Sequence, residues 1–215
     1  MEFLRWALPL AVLVVLAYLL GSIPVGLVIA RLKTGSDLRR VGSGRTGATN
    51  VMRTAGRRLG LLTLFLDGFK AGLAVAVATV VWPLVESWSG VPLDVSVVQG
   101  LCGLCAIVGH NRPLLAGFHG GRGVSSFFGT MCVIHLPAAL LGIEMLTIVA
   151  LLSRFMSLGS IVGGLTTFGL MFVLFLTGWV SLYHLVYCGV AVGILIFEHR
   201  DNIARLRAGT ERKLY

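Results

Sequence analysis

The chain has 215 residues, of which 56% are hydrophobic and only 13% are charged, and its mean hydropathy is +0.91. A soluble domain does not need so much apolar sequence to fill its core, so this composition excludes an ordinary water-soluble protein and indicates a membrane protein. The net charge of +9 does not indicate nucleic-acid binding, because Lys and Arg lie in short segments between apolar runs.

The apolar runs predict an all-α integral membrane protein with seven transmembrane helices. A helix needs about 20 residues to cross the hydrocarbon core of a bilayer. Hydrophobic periodicity places the helices at residues 7–30, 59–81, 95–108, 123–134, 136–152, 158–177 and 182–197. The third and fourth are short, so they either tilt little, end as half-helices at a polar cavity, or form one re-entrant hairpin. We expect residues 1–215 to form a single membrane-embedded domain, because no internal repeat or long linker divides them.

The positions of the cations predict the orientation in the membrane. Of the 18 Lys and Arg residues, 16 fall in the first, third and fifth loops and in the C-terminal tail. Cytoplasmic loops carry an excess of Lys and Arg, so we expect the N-terminus outside and the C-terminus in the cytoplasm. The second loop carries Glu86 and Asp94 instead, and we expect Trp82 and Trp88 to be interfacial anchors beside it.

The first loop contains the glycine-rich segment GSGRTGATNVMR, residues 42–53. Gly42, Gly44 and Gly47 match the glycine spacing of dinucleotide-binding loops, but the segment follows a transmembrane helix and not a buried strand. Glycines nevertheless let consecutive backbone N–H groups converge on an anion. The side chains that add donors or charge are Ser43, Arg45, Thr46, Thr49, Asn50 and Arg53. This segment alone fits either a phosphate-binding loop or a flexible loop with snorkelling arginines.

A second segment, GHNRPLLAGFHGGRG at residues 109–123, falls on the same predicted side of the membrane. Membrane topology explains its cations but not its glycines, so the two segments together favour a shared phosphate site. Two more polar segments, SRFMSLGS at 153–160 and EHRDN at 198–202, are predicted on that side. In the last one, His199 is either a general base, a phosphate ligand, or an interfacial residue at a helix C-terminus.

Asp67 and Lys70 are charged residues within the second predicted helix. Their spacing of three places them on one helical face, and charges inside a membrane are costly, so we predict a structural ion pair that points into the bundle. Cys102 and Cys105 form a C-x-x-C without a second pair nearby and are interpreted as helix core residues. We expect no metal site and no cofactor.

Taken together, the polar segments resemble the bacterial acyl-phosphate-dependent glycerol-3-phosphate acyltransferases of the PlsY type. The resemblance covers roughly half of the chain, in the order of the family, and its parts are GSIPVGLVIARL, DLRRVGSGRTGATNVMRTAGRRLGLLTLFLDGFKAG, GHNRPLLAGFHGGRGV, SRFMSLGS and HRDNIARLRAGTERKL. It implies transfer of a fatty acyl group from acyl phosphate to glycerol 3-phosphate, which gives lysophosphatidic acid and phosphate. It also implies a multi-pass protein of the bacterial inner membrane, an active site on the cytoplasmic face, and a soluble enzyme that supplies acyl phosphate.

The resemblance and the residue types together define the expected site. The catalytic residues are expected to be His199, Ser43 and Asn202. The residues expected to bind the two substrate phosphates are Gly42, Gly44, Gly47, Asn50, Arg53, His119, Gly120, Gly121, Arg122, Arg154, Ser157 and Ser160. The proton of the acceptor hydroxyl is expected to pass to His199 or to a phosphate oxygen of the substrate.

The chain departs from the family pattern at four of these polar positions. The family usually has Asn at the position of Arg45, Lys at the positions of His119 and Arg122, and commonly Arg at the position of Glu198. Arg122 keeps the positive charge, as a planar fork instead of a point charge.

A transporter or channel for an anionic phosphorylated metabolite is the alternative function. It would use the same inward-facing cations. Transporters of that kind usually show repeated halves with paired broken helices, and the sequence has no such symmetry.

Overall fold

The computed structural model describes residues 2–214, and every regular element within them is helical. Met1 and Tyr215, the ends of the predicted domain, lie outside the described residues. The helices are α1 Glu2–Gly21, α2 Val25–Thr34, α3 Ala48–Ala55, α4 Arg57–Ser89, α5 Val95–Asn111, α6 Val124–Ile134, α7 Leu136–Ser153, α8 Met156–Leu176, α9 Leu182–Glu198 and α10 Arg200–Arg207. A short 3-10 turn at Leu114–Ala116 lies between α5 and α6.

Four helical stretches among the described residues are long and apolar enough to cross a membrane, namely Arg5–Thr34, Arg57–Ser89, Leu136–Ser153 and Met156–Leu176. The pair α9 and α10, bent by 56°, makes a fifth when it is taken as one span. The two short predicted helices correspond to α5, with 17 residues, and α6, with 11. The all-helical membrane fold is confirmed, whereas the count of seven crossings stays a prediction.

The first predicted helix is not continuous. Residues 7–30 were expected to form one helix, but α1 ends at Gly21 and α2 begins at Val25. Pro24 lacks a backbone N–H and its ring clashes with a preceding helical carbonyl, so it separates the two helices. The break leaves the carbonyl of Ile23 without a helical partner, and Lys70 Nζ donates to that oxygen at 2.6 Å.

Lys70 also forms the ion pair with Asp67, because its Nζ lies 2.8 Å from Asp67 Oδ1. His110 Nδ1 lies 3.4 Å from the same carboxylate oxygen, and all three side chains are buried. These intramembrane charges therefore connect α4 and α5 to the break between α1 and α2.

The helices α1 and α5 pack closely because glycines line their contact. A Cβ on Gly21 would lie 2.1 Å from the carbonyl oxygen of Ala106, and one on Gly109 would lie 2.3 Å from that of Tyr18. Small residues allow such close approach of membrane helices. The neighbouring core includes Trp82, which is fully buried and donates its indole N–H to Leu93 O at 2.8 Å, so its predicted role as an interfacial anchor is wrong.

Two short helices, α3 and α10, were not predicted. Half of the glycine-rich segment 42–53 belongs to α3, which begins after Gly47. Ala48, Val51, Met52 and Ala55 follow the i, i+3, i+4, i+7 pattern of an amphipathic helix. The apolar face packs on α4 so closely that a Cβ on Gly60 would lie 1.9 Å from Met52 Cγ.

We predict that Lys70→Met lowers the free energy of unfolding in detergent by about 3–5 kcal/mol, because the buried Asp67 would lose its lysine partner and keep only the contact with His110. The measurement is thermal or denaturant unfolding of the purified variant. The control is Asp67→Asn/Lys70→Met, which removes both charges and should lose less stability than the single variant. Equal stability of wild type and Lys70→Met would contradict this role.

Candidate active site

Four polar segments meet at one end of the helical bundle, which we call the polar end: residues 35–47, 112–123, 153–155 and 199–214. Thr46 N donates to Gly120 O at 3.4 Å, which joins the first segment to the second. Arg122 Nε donates to Glu198 O at 3.2 Å, and Leu214 N donates to Arg154 O at 2.7 Å. The segments that share glycine and cations in the sequence therefore lie side by side in space.

Two cavities open at the polar end. The first cavity has a volume of about 310 Å³ and is lined by Ser43, Gly44, Arg45, Arg112, Phe118, His119 and Gly120. The second cavity has a volume of about 200 Å³ and is lined by Gly42, Ser43, Arg45, Arg53, Arg122, Asp201, Asn202, Arg205, Glu211 and Arg212. Ser43 and Arg45 line both, so the two cavities adjoin at these side chains.

The side chain of Asn50 holds the first loop in shape. Its Oδ1 accepts from Ser43 N at 3.2 Å, and its Nδ2 lies within 3.3 Å of the carbonyl oxygens of Leu38, Val41 and Arg45. Asn50 is 2% exposed and lines neither cavity. Asn50 was expected to bind phosphate, but the structure commits its amide to the loop itself.

The first loop does not form the expected cradle of converging backbone N–H groups. Gly44 N donates to Val41 O at 3.1 Å, Arg45 N to Ser43 Oγ at 3.4 Å, and Thr46 N to Gly120 O. Gly42 and Gly44 have φ angles of 61° and 70°, a conformation that favours glycine. These glycines shape the turn, and the side chains of the loop provide the polar groups in the cavities.

The glycines of the segment 112–123 allow close packing. A Cβ on Gly120 would lie 2.1 Å from His110 O, and one on Gly121 would lie 2.1 Å from His110 Nε2. Gly121 N donates to His110 O at 3.1 Å. Gly120 lines the first cavity, whereas Gly121 lines neither and packs on His110, so its phosphate contact stays a prediction.

His119 lines the first cavity and is exposed. Its Nδ1 lies 2.6 Å from Gly117 O. A carbonyl oxygen only accepts hydrogen bonds, so Nδ1 is the donor and only Nε2 remains for a ligand.

Glu198 joins three arginines that come from two different segments, 35–47 and 112–123. Its Oε1 lies 2.9 Å from Arg112 Nη2, its Oε2 lies 3.2 Å from Arg45 Nη1, and its backbone oxygen accepts from Arg122. The Glu198 side chain is 5% exposed. Arg45 and Glu198, which the resemblance identifies as departures from the family pattern, are thus partners of one another.

Glu211, in the C-terminal tail, was not predicted as a site residue. Its Oε1 accepts from Ser157 Oγ at 2.8 Å and from Asn202 Nδ2 at 2.5 Å, and its Oε2 accepts from Arg205 Nε at 2.7 Å. Burial alone would raise the pKa of the Glu211 carboxyl, but the hydrogen bonds from Asn202, Ser157 and Arg205 outweigh burial and lower it. Ser157, expected to bind phosphate, therefore binds a carboxylate of the protein.

Two other expected phosphate ligands lie outside both cavities. Ser160 is 2% exposed and donates to Met156 O at 2.8 Å within its own helix. Arg154 adopts a left-handed conformation with φ 66° at the end of α7, and its carbonyl binds the tail at Leu214. The spacing of the SRFMSLGS segment does not show which of its side chains face inwards, because a turn separates α7 from α8.

His199 lies in the bend between α9 and α10, beyond the apolar part of α9. Its Nδ1 lies 2.8 Å from Leu195 O, so Nδ1 is the donor and Nε2 carries the lone pair. Burial, together with the charge of Arg122, lowers the pKa of His199 to about 4 against the opposing effect of the hydrogen bond to Leu195. The imidazole is therefore neutral at neutral pH. It is 2% exposed and lies beside the second cavity without lining it.

The second cavity is the most basic part of the polar end. Burial lowers the pKa of Arg122 to about 10, with contributions from Arg45 and Arg205, so Arg122 keeps its charge at neutral pH. Burial and Arg212 also lower the pKa of Arg53, whose Nη2 donates to Lys213 O at 3.4 Å. Asn202 lines this cavity, and its buried Oδ1 has no hydrogen-bond partner among residues 2–214.

The fold and these cavities define a helical membrane protein with arginine-lined cavities at one end. The family of glycerol-3-phosphate acyltransferases matches residues 11–209. A relative named glycerol-3-phosphate acyltransferase 3, from Dehalococcoides mccartyi, is 43% identical over 208 residues, which cover 95% of each chain. A glycerol-3-phosphate acyltransferase from Thermus thermophilus is 40% identical over 199 residues, which cover 93% of this chain and 92% of the relative.

Solved structures agree with the sequence relatives. The crystal structure of PlsY (YgiH), an integral membrane glycerol 3-phosphate acyltransferase, matches in its glycerol 3-phosphate form with a TM-score of 0.81 and 36% identity over 95% of both chains. Its lysophosphatidic acid form matches with a TM-score of 0.80 and 35% identity over 95% of both chains. The chain therefore belongs to the glycerol-3-phosphate acyltransferase family, as the polar segments of the sequence predicted.

We predict that Asn50→Asp lowers activity more than about tenfold, because a carboxylate would face three carbonyl oxygens that now accept from Nδ2. The matched control is Thr54→Val on the same helix, which removes the hydrogen bond from Thr54 Oγ1 to Asn50 O. The measurement is steady-state activity of both purified variants. Wild-type activity in Asn50→Asp would show that the loop does not depend on this side chain.

Proposed function

We propose that this protein transfers a fatty acyl group from acyl phosphate to glycerol 3-phosphate, giving lysophosphatidic acid and phosphate. The observation that carries the proposal is the pair of basic cavities that adjoin at Ser43 and Arg45. Two substrates that each carry a phosphate require two neighbouring anion sites with their reacting ends at the junction. The names of the relatives and the ligands of the matching crystal structures support glycerol 3-phosphate as acceptor.

The charge of the polar end suits two phosphorylated substrates. Six arginines line the two cavities, and Asp201, Glu211 and Glu198 are the carboxylates among them, which leaves a surplus of three positive charges. A phosphate monoester carries about −1.5 to −2 at neutral pH. Two such substrates would bring the site close to neutrality, and a single uncharged lipid would not.

The reaction needs positioning more than covalent catalysis. Acyl phosphate is a mixed anhydride with a good leaving group, so the acceptor hydroxyl attacks the acyl carbonyl carbon and the bond to the phosphate oxygen breaks. Holding the reactants about 3–3.5 Å apart supplies much of the rate enhancement. Ser43 is exposed where the cavities adjoin and would donate to the developing oxyanion.

Each cavity suits one substrate. We assign the phosphate of the acyl donor to the second cavity, where Arg53 and Arg122 would stabilise the departing phosphate. We assign glycerol 3-phosphate to the first cavity, beside His119 and Gly120. The proton of the acceptor passes to His199 Nε2 or to a phosphate oxygen of the substrate.

The same proposal includes the location of the enzyme. The gathering of the cation-rich segments at one end of the bundle supports a cytoplasmic polar end, an outer N-terminus, a cytoplasmic C-terminus and seven crossings of the bacterial inner membrane. The acyl chain would enter sideways from the bilayer. A soluble enzyme that makes acyl phosphate is the expected supplier of the donor.

Phosphate release by purified protein in detergent tests the proposal. Given a long-chain acyl phosphate, the protein should release phosphate only when glycerol 3-phosphate is present. A transporter for an anionic metabolite, the alternative function, has no compartment to transport across in detergent and would release none. Absence of release from well-folded protein would contradict the proposed reaction.

Ser43→Ala and Arg53→Ala test the junction and the donor cavity. We expect each to lower kcat by about 100-fold or more with normal membrane insertion, because donors aimed at developing charge are lost. Arg58→Ala, an exposed residue of the same cation-rich region, is the control and should keep wild-type activity. Full activity in Ser43→Ala and Arg53→Ala would remove both residues from the mechanism.

His199→Gln tests whether the proton of the acceptor hydroxyl passes to His199 or to a phosphate oxygen of the substrate. If His199 is the base, the variant should lose about 10²- to 10⁴-fold in kcat. Because burial lowers its pKa to about 4, wild-type activity should stay level from about pH 8 to pH 6 and fall only towards pH 4. A fall near pH 6, the usual second pKa of a phosphate monoester, with a nearly unchanged His199→Gln rate would assign the proton to the substrate.

Protonation of His199 also affects folding, so stability must be followed in the same titration. A histidine whose pKa is lowered in the folded state stabilises the fold above its unfolded value of about 6.5 and loses that contribution as the pH falls towards 4. Unfolding measurements at each pH show whether a loss of activity results from unfolding of the enzyme.

A further inference from the structure

We propose that Arg45 and Arg112 bind the phosphate of the acceptor in the first cavity and that the buried carboxylate of Glu198 positions both guanidinium groups. The sequence placed both arginines in the two glycine-rich segments, but neither was among the residues expected to bind a substrate phosphate. The inference rests on the proposed function, because it names the residues of the acceptor site.

The two arginines come from different parts of the chain and converge on one carboxylate. Arg45 belongs to the first loop and Arg112 follows the end of α5, yet their side chains reach the two oxygens of Glu198 at 3.2 and 2.9 Å. Both side chains line the first cavity. Glu198 therefore holds two guanidinium groups at the wall of the same space.

Both guanidinium groups have N–H groups that are not used within residues 2–214 and can donate to a ligand. Arg45 Nη1 also donates to Gly121 O at 3.4 Å, and Arg112 Nη1 donates to Asn111 O at 3.0 Å. Each guanidinium has five N–H groups in a rigid fork, so the remaining ones can form the paired hydrogen bonds that phosphate oxygens accept. The side chains are 23% and 41% exposed, which leaves part of each accessible from the cavity.

Glu198 acts as a positioning residue and is not itself in reach of the substrate. Its side chain is 5% exposed, and neither cavity is lined by it. Its Oε2 is buried and forms only the ionic contact with Arg45, without a hydrogen bond of good geometry in residues 2–214. The two arginines compensate the charge of this buried carboxylate. The carboxylate in turn fixes the orientation of both guanidinium groups before the ligand binds.

His119 is the other basic side chain of the first cavity, and it offers fewer hydrogen-bond donors to a phosphate than the two arginines do. Its Nδ1 is already used on Gly117 O, so one nitrogen remains for a ligand. The two arginines also carry a fixed positive charge that outweighs the single charge of Glu198. They are therefore the main source of affinity for a phosphate in this cavity.

Binding of glycerol 3-phosphate to purified protein by calorimetry, together with steady-state kinetics, tests the proposal. Arg112→Gln should raise the Kd and KM for glycerol 3-phosphate by about tenfold or more, because charge-assisted hydrogen bonds are lost. Its KM for acyl phosphate should stay within about twofold, since Arg112 lines only the first cavity. Arg45→Gln should raise the constants for both substrates, since Arg45 lines both cavities.

Two further variants distinguish a binding role from a structural one. Arg112→Lys should recover part of the affinity, because it keeps the charge but loses the fork. Arg40→Gln, in the same loop as Arg45 but lining neither cavity, removes an equal charge and should leave both constants unchanged. A lower melting temperature with an unchanged KM for glycerol 3-phosphate in Arg112→Gln would overturn the proposal.

In Glu198→Gln, the direction of the change in KM for glycerol 3-phosphate distinguishes a positioning role from a purely electrostatic one. Loss of a negative charge would by itself tighten the binding of an anion, so a rise in KM for glycerol 3-phosphate reflects lost positioning of the arginines. We expect a rise of about fivefold with the KM for acyl phosphate unchanged. An unchanged or lower KM would show that Glu198 does not position the two groups.

The proposed reaction and the proposed acceptor site can be contradicted independently of one another. If wild type binds glycerol 3-phosphate but releases no phosphate from acyl phosphate, the proposed reaction fails, and the binding constants of the variants still decide the present inference. If wild type turns over and both arginine variants keep its constants, only the present inference is overturned.

Discussion

The arginines at the polar end repel one another, and the structure of this end depends on the carboxylates that offset this repulsion. Six arginines line two small adjoining cavities, and three carboxylates lie among or against them. Glu198 connects the first loop to both ends of the segment 112–123, and Glu211 connects the C-terminal tail to α8 and α10. Without these two carboxylates the segments would repel one another, and with them the site keeps a positive surplus that anionic substrates can neutralise.

The membrane imposes a second constraint, because polar groups inside the bundle need partners within the protein. The break before Pro24 exposes the carbonyl of Ile23, and Lys70 satisfies it while paired with Asp67. His110 contacts that pair from α5, and its ring lies against Gly121 of the segment 112–123. The buried charges thus reach from the core of the bundle to the loops that line the cavities.

Hydrophobic periodicity predicted the long helices within a few residues at most ends, because lipid and core both select apolar side chains. It missed the break at Pro24 and the short helices α3 and α10, whose stability comes from packing on α4 and from tail contacts. Ser43, Arg53, Arg122 and Asn202 are gathered around the second cavity, as residue type and resemblance suggested. The direction of each loop side chain is not encoded in spacing, so the sequence did not predict that Asn50, Gly121 and Ser160 bond or pack within the scaffold, and their phosphate contacts stay a prediction. The partnership of Arg45 with Glu198 joins distant segments and becomes visible only in the fold.

The central claim is that both substrates occupy adjoining cavities at the same time and react directly. The most direct measurement is the initial-rate pattern of the purified enzyme with acyl phosphate and glycerol 3-phosphate varied together. Direct transfer predicts reciprocal plots whose lines intersect, because a complex with both substrates must form. Parallel lines, with phosphate released before the acceptor binds, would indicate a covalent acyl-enzyme and contradict the account.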